Sequence, residues 1–203
     1  MTQEISKKFE SEIRIFVNDI SSFLERLKNL DAELVLTYSF KDHLFKPKEG
    51  SIKDWDPNRK TMRLRAWSHP ETYSQILFSK TEIWETNDLQ YKRTCYPQGK
   101  IELFHGDFES AKELLEDWGF IAWFTVEKLK GELFKIRSPS EFVIALENLE
   151  HIGWMVEIEC WGGNVKEVSQ KISERMQILG VTTEDITFKS CPRIVAEKLG
   201  LFF

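Results

Sequence analysis

Lys8–Val17, read K-F-E-S-E-I-R-I-F-V, is the stretch that decides the fold. Phe9, Ile13, Ile15 and Val17 fall on one parity, and Glu10, Glu12 and Arg14 on the other. Strand side chains alternate between faces, so two carboxylates and a guanidinium share one face and the apolar residues take the other. Trp154–Cys160, W-M-V-E-I-E-C, repeats the design: Glu157 and Glu159 face one way, Val156, Ile158 and Cys160 the other.

The bases lie on strand-like runs of their own. Arg63 and Arg65 share a face opposite Met62 and Leu64, and Lys80 ends the run I-L-F-S-K. Lys92 and Arg93 lie in Y-K-R-T, Lys128 and Lys130 share a parity, and Lys135 and Arg137 sit opposite Phe134 and Ile136. An open sheet with one wet face also carries alternating charge. Such faces mix their signs more evenly than this chain, where acids gather as E-x-E pairs and bases on separate strands. Two acidic strands with basic strands between them are what a divalent metal and a polyphosphate require, provided that the sheet closes around them.

Between these runs the chain reads as strands and amphipathic helices. Asp19 or Ser21 caps a helix that carries Ile20, Phe23, Leu24, Leu27 and Leu30 at helical spacing. Leu34–Phe45 is β-rich, and Lys46–Lys60 reads as a long mobile loop, either a solvated connector or a cover for a cavity mouth. Strands are expected at Thr61–Trp67, Tyr73–Trp84, Asp88–Tyr96 and Lys100–His105. A second helix, Phe108–Trp118, puts Phe108, Ala111, Leu114, Leu115 and Trp118 on its core side and stops at Gly119. Phe120–Lys130, Glu132–Arg137, Glu141–Glu147 and Trp154–Cys160 read as four further strands. Asn164 and Glu167 suggest a capping box for a third helix, and Pro192 opens a short last one, Arg193–Leu199. Many similar strands with helices outside indicate an antiparallel sheet, and so many strands tend to curl and close.

At 203 residues the chain forms one domain or at most two small ones. A net charge of −5 argues against a duplex nucleic acid or an anionic membrane as partner, while leaving room for a local basic pocket. The opening residues, M-T-Q-E-I-S-K-K, lack an apolar signal core, and three unpatterned cysteines form neither a disulfide framework nor a zinc site. The expectation is a cytoplasmic protein. Four histidines show no metal-ligand spacing.

Taken in order, these motifs resemble the CYTH superfamily, whose members include class IV adenylyl cyclases, thiamine triphosphatases and inorganic tripolyphosphatases. Its opening E-x-E-x-K corresponds to Glu10-Ser11-Glu12-Ile13-Arg14, with Arg for Lys. R-x-R corresponds to Arg63-Leu64-Arg65, the single mid-strand Lys to Lys80 and the K-R pair to Lys92-Arg93. K-x-R has its best counterpart in Lys128-Leu129-Lys130, with Lys128 and Lys135 as rivals to Lys130. The closing signature matches Leu146–Glu159 without a gap, with Glu147 for Asp, and Lys189-Ser190 resembles the basic residue before S-Y. Cys95 stands where many relatives carry Glu.

The resemblance implies a single α+β domain over residues 1–203, a closed or nearly closed antiparallel barrel of about eight strands around a polar tunnel, with helices outside. It implies Mg²⁺ or Mn²⁺ held by Glu10, Glu12, Glu147, Glu157 and Glu159. Arg14, Arg63, Arg65, Lys80, Lys92, Arg93, Lys128, Lys130 and Lys189 would hold phosphate, and Glu10, Glu12, Arg14, Glu157 and Glu159 would form the catalytic set. The implied partner is a small-molecule triphosphate rather than nucleic acid or membrane, and a homodimer is left open. The implied activity is metal-dependent hydrolysis of tripolyphosphate, nucleoside triphosphate or thiamine triphosphate. The alternatives are cyclisation of ATP to cyclic AMP and non-catalytic polyphosphate binding.

Overall fold

A computed structural model describes residues 8–51, 53–86 and 89–201. The readings of residues 1–7 and of Asp88, and Ile52 within the long loop, lie outside these. Strand β1 (Phe9–Phe16) keeps the parity seen in the sequence, with Ile13 and Ile15 buried against helices outside and Glu10, Glu12 and Arg14 turned inward. Along one whole edge β1 pairs with β9 (Gly153–Gly162), which sets Glu12 opposite Glu159 and Arg14 opposite Glu157. Its other edge is shared by β5 (Leu89–Thr94) and the two-residue β10 (Ile186–Thr187).

From β5 the sheet runs through β4 (Ser74–Thr86), β3 (Lys60–His69), β2 (Glu33–Pro47), β7 (Phe120–Ile136) and β8 (Phe142–Leu149) to β9. The β1–β9 pairing closes an antiparallel ring, with β10 added beside β1 and β6 (Ile101–Gly106) beside β4. Closure gives the E-x-E strands each other as neighbours and turns one set of side chains into an interior.

Outside the ring, α1 (Ile20–Asn29) and α3 (Val165–Leu179) cover β1, β8 and β9 through Phe23, Leu27, Val168 and Ile172. Asp19 caps α1 by accepting from Ser22 N, and Asn164 caps α3 by accepting from Glu167 N. The Glu167 carboxylate bonds Gly163 N, so only one half of the expected box forms on the cap residue itself. Helix α2 (Phe108–Asp117) buries Ala111 and Leu115 on Phe45, Leu64 and Ile76 of β2–β4. Trp118, expected in that core, lies at the helix end half exposed.

Helix α4 (Cys191–Lys198) covers one end of the ring. Its Cys191, Ile194 and Val195 pack on Leu44, Val126, Leu149 and Met155, which continue the inward parities of Asp42, Lys128, Glu147 and Glu157. One end of the interior is thus apolar and plugged.

Two segments differ from the sequence expectation. The two runs expected at Phe120–Lys130 and Glu132–Arg137 merge into one 17-residue strand, β7, that ends at Ile136 and is bulged between Lys128 and Lys130. The segment between β2 and β3 is an anchored wall rather than a free loop. The Trp55 ring meets Phe120 edge-on at 5.6 Å, Asn58 Oδ1 accepts from Ser190 N at 2.7 Å, and Pro57 O accepts from Ser190 Oγ at 2.7 Å. Among the described residues no helix is long and apolar enough to cross a membrane.

Candidate active site in the strand ring

The ring encloses a cavity of about 490 Å³, within the range of small-molecule sites. Its lining carries nine cations (Arg14, Arg59, Lys60, Arg63, Arg65, Lys92, Lys100, Lys128, Arg175) against six carboxylates (Glu10, Glu12, Asp42, Glu147, Glu157, Glu159). The excess of cations comes from Arg59, which is exposed, and from Lys60, Lys100 and Arg175, which are partly buried, while the buried cations and carboxylates of the lining roughly balance. Burial on this scale is costly unless each charge has a partner, and most of them do.

On the β1–β9 wall, Arg14 Nη1 donates to Glu12 Oε1 at 2.9 Å and Nη2 to Glu157 Oε2. Lys92 Nζ from β5 donates to the same Glu12 oxygen. Burial works against ionised Glu157, but Arg14 and Lys128 outweigh it and hold its pKa well below the usual range. On the opposite wall Asp42 Oδ1 and Oδ2 accept from Arg65 Nε and Nη2 at 2.7 and 2.9 Å, and Arg63 Nη1 reaches Oδ2 at 3.3 Å. Burial again opposes the charge and the two guanidiniums again win, so the Asp42 pKa lies far below normal. The Arg65 guanidinium lies 3.7 Å over the Phe40 ring, which fixes its plane. Between the walls, Glu147 accepts from Tyr38 Oη and Lys128 Nζ.

One set holds two carboxylates without a cation hydrogen bond, Glu10 and Glu159, beside Glu12, whose Oε1 is taken by Arg14 and Lys92. An oxygen each of Glu10, Glu12 and Glu159 lies within 4.8 Å of the others. Glu10 Oε1 is buried without a hydrogen-bond partner. Burial, together with Glu157, Glu10 and Glu12 nearby, pushes the Glu159 pKa up to about 8 although Lys100 opposes it. An orphaned oxygen in an all-carboxylate set is a donor arrangement suited to a hard divalent ion. Glu147 and Glu157 form a second group with Cys191, and both carboxylates there are already bound by cations or Tyr38.

No protein-family model matches the chain, and no curated protein matches it by sequence. Solved structures do match. A conserved hypothetical protein from Pyrococcus furiosus is 25% identical with a TM-score of 0.66, over 89% of this chain and 96% of that one. A candidate adenylate cyclase from Vibrio parahaemolyticus is 16% identical with a TM-score of 0.67, over 93% and 98%. A candidate adenylyl cyclase from Hippeastrum, described as having a dominant triphosphatase activity, is 13% identical with a TM-score of 0.60, over 95% and 96%. The chain shares the fold of these structures.

Within the ring, Glu10, Glu12, Arg14, Arg63, Arg65, Lys92, Lys128, Glu147, Glu157 and Glu159 all line the cavity. Four expected phosphate ligands do not. Lys80 shares the parity of Ile76 and Phe78, which pack outside the ring; it is exposed, and its neighbours Ser79 and Thr81 face in. Arg93 shares the outward parity of Tyr91 and lies between the rings of Phe9 and Trp84 at 4.1 and 3.9 Å. Lys130 follows the β7 bulge, which breaks the parity it would share with Lys128, and it pairs outside with Glu132 at 2.7 Å. Lys189 turns its ammonium to Glu197 at 2.8 Å and presents only its carbonyl to Arg14. Of the two rivals to Lys130, Lys128 lines the cavity, whereas Lys135 pairs with Glu141.

Sequence reasoning missed Asp42, Tyr38 and Lys100, all of which line the cavity. Tyr38, Phe40 and Asp42 share a parity in β2, so an Asp within that β-rich run was the available signal. Lys100 lies beyond the Pro97-Gln98-Gly99 turn, and nothing in the pattern marked it.

Proposed function

We propose that this protein is a divalent-metal-dependent phosphohydrolase acting on triphosphate compounds inside the ring. The observation that carries this reading is the cationic excess of the cavity beside three gathered carboxylates, one with an orphaned oxygen. Glu10, Glu12 and Glu159 would hold Mg²⁺ or Mn²⁺. Bound there, the ion would supply charge neutralisation and orientation of phosphate oxygens.

The chain's own residues do the rest. Arg63 and Arg65 present planar donors to phosphate oxygens, and Arg63 Nε is buried with no partner, a donor still to be used. Asp42 holds the two guanidiniums side by side against their mutual repulsion. Arg14, Lys92 and Lys128 add charge where a diphosphate leaving group would develop it. In the reaction, water adds to the terminal phosphorus, its bridging P–O bond breaks, and orthophosphate and the shortened phosphate chain leave. The Hippeastrum neighbour, described as having a dominant triphosphatase activity, supports this choice.

A second reading is cyclisation of ATP, with the ribose 3′-hydroxyl attacking the α-phosphorus and pyrophosphate leaving. The apolar lining by Leu36, Leu133, Val143 and Trp161 favours an organic group on the substrate, which either reaction would use. Phosphorus NMR of tripolyphosphate, ATP and thiamine triphosphate incubated with protein and Mg²⁺ or Mn²⁺ tests the proposal. Orthophosphate lost in a Glu159→Gln variant supports the hydrolase. Cyclic AMP with pyrophosphate makes the protein a cyclase, and no product from any of the three overturns both enzymatic readings for these substrates and leaves a polyphosphate binder.

A further inference from the structure

We propose that Lys100 is a built-in counter-ion that holds the place of a divalent cation at Glu10 and Glu159 and is displaced when that cation binds. The proposal rests on the reading of Glu10, Glu12 and Glu159 as the metal-holding set.

Lys100 reaches the cavity by a route unlike that of the cations on strands β1, β3, β5 and β7. It stands at the end of the turn between β5 and β6, where Gly99 N bonds Tyr96 O at 2.9 Å. This turn is packed onto the acidic set: Gly99 has φ +77°, and a Cβ there would collide with Glu10 Oε2. Glycine is required on both counts, and the close approach delivers the next side chain to the carboxylates.

Its contacts are those of a loose ion pair. Lys100 Nζ lies 3.6 Å from Glu159 Oε1 and 4.0 Å from Glu10 Oε1, beyond hydrogen-bond reach of either. Arg14, Arg63, Arg65, Lys92 and Lys128, by contrast, all hydrogen-bond a carboxylate. Glu10 Oε1, the oxygen nearest Lys100 on that residue, is the buried one that lacks a partner. About a third of the Lys100 side chain is exposed, so it has room to leave.

An ammonium in this position relieves repulsion among three crowded carboxylates without satisfying them. A divalent ion brings twice the charge and takes several oxygens at short range, so it wins the site. The monovalent occupant lowers metal affinity.

The test is direct Mn²⁺ binding by electron paramagnetic resonance, with no phosphate present, to the wild type, Lys100→Met, Lys80→Met and Glu159→Gln. Lys100→Met is expected to bind Mn²⁺ about tenfold more tightly, the scale of one screened unit charge a few Å away. Lys80→Met, outside the ring, is expected to match the wild type, and Glu159→Gln to lose the site. Wild-type binding with unchanged or weaker affinity in Lys100→Met overturns the counter-ion proposal alone. No stoichiometric wild-type binding overturns the metal reading and the proposal together. Acetylation of Lys100 in the unmutated protein provides a second measurement independent of any folding defect. Mn²⁺ is expected to speed it several-fold, and equal or slower acetylation contradicts displacement.

Discussion

Asp42→Asn tests whether the basic wall of the ring depends on one carboxylate. Asp42 is 2% exposed and binds Arg65 through both oxygens and Arg63 through one, while those arginines are themselves 9% and 8% exposed. Asparagine keeps the shape and one acceptor but removes the charge, leaving two buried guanidiniums facing each other. Removing one partner of a buried, hydrogen-bonded pair costs about 3–5 kcal/mol. For a chain of this size that corresponds to a fall in Tm of roughly 6–20 °C. Urea denaturation and thermal melts of the metal-free variant measure it. Tripolyphosphate should raise the variant's Tm by more than the wild type's, since the anion replaces the missing charge and binding to the native state alone stabilises it. A variant within about 1 kcal/mol of the wild type in the absence of anion would refute the argument that Asp42 holds this wall together.

Four further predictions concern placement, pH and the Gly99 turn. Arg63→Met and Arg65→Met should each weaken tripolyphosphate binding by about 10- to 100-fold, the scale of a lost charge-assisted bond; Lys80→Met, Arg93→Met, Lys130→Met and Lys189→Met should stay within about threefold, and calorimetric titration separates the two groups. The depressed pKa values of Asp42 and Glu157 contribute stability that is present above pH 4 to 5 and lost as the pH falls toward their folded values, so wild type should lose stability below about pH 4 and Asp42→Asn should show a shallower loss. Glu159, raised to about 8, works in the opposite direction: its contribution is present below its unfolded pKa and lost as the pH rises through 8, so the metal-free protein should be less stable at pH 9 than at pH 6, and Glu159→Gln should flatten that slope in urea titrations. Gly99→Ala places a methyl against Glu10 Oε2 in a left-handed turn; it should lower Mn²⁺ affinity severalfold in the same resonance assay while the circular dichroism spectrum stays that of the wild type.

Strand parity made the acidic wall readable, because β1 and β9 carry unbroken alternation and a helix-covered apolar face forces the other face inward. Arg63 and Arg65 were readable for the same reason. Lys130 was not, since a bulge of one residue reverses parity and leaves no mark in the pattern of charges. Lys80 and Arg93 could have been excluded from the sequence: Ile76 with Phe78, and Tyr91, give their strands' apolar parity, and both cations share it. Motif order placed them inside against that parity. Lys189 follows no strand parity of its own, and its direction depends on Glu197, one helix away. The plug formed by α4 and the delivery of Lys100 by a turn depend on contacts far apart in the chain. Periodicity within a single segment carries no information about either.

Anomalous diffraction from crystals grown with Mn²⁺ and an uncleaved triphosphate analogue tests the central claim most directly. The account predicts a manganese peak bound by Glu10, Glu12 and Glu159, with phosphorus atoms among Arg63, Arg65, Lys92 and Lys128 inside the ring. Metal and anion bound elsewhere, with the interior ion pairs of Arg14, Asp42 and Lys92 left as they are, would contradict it.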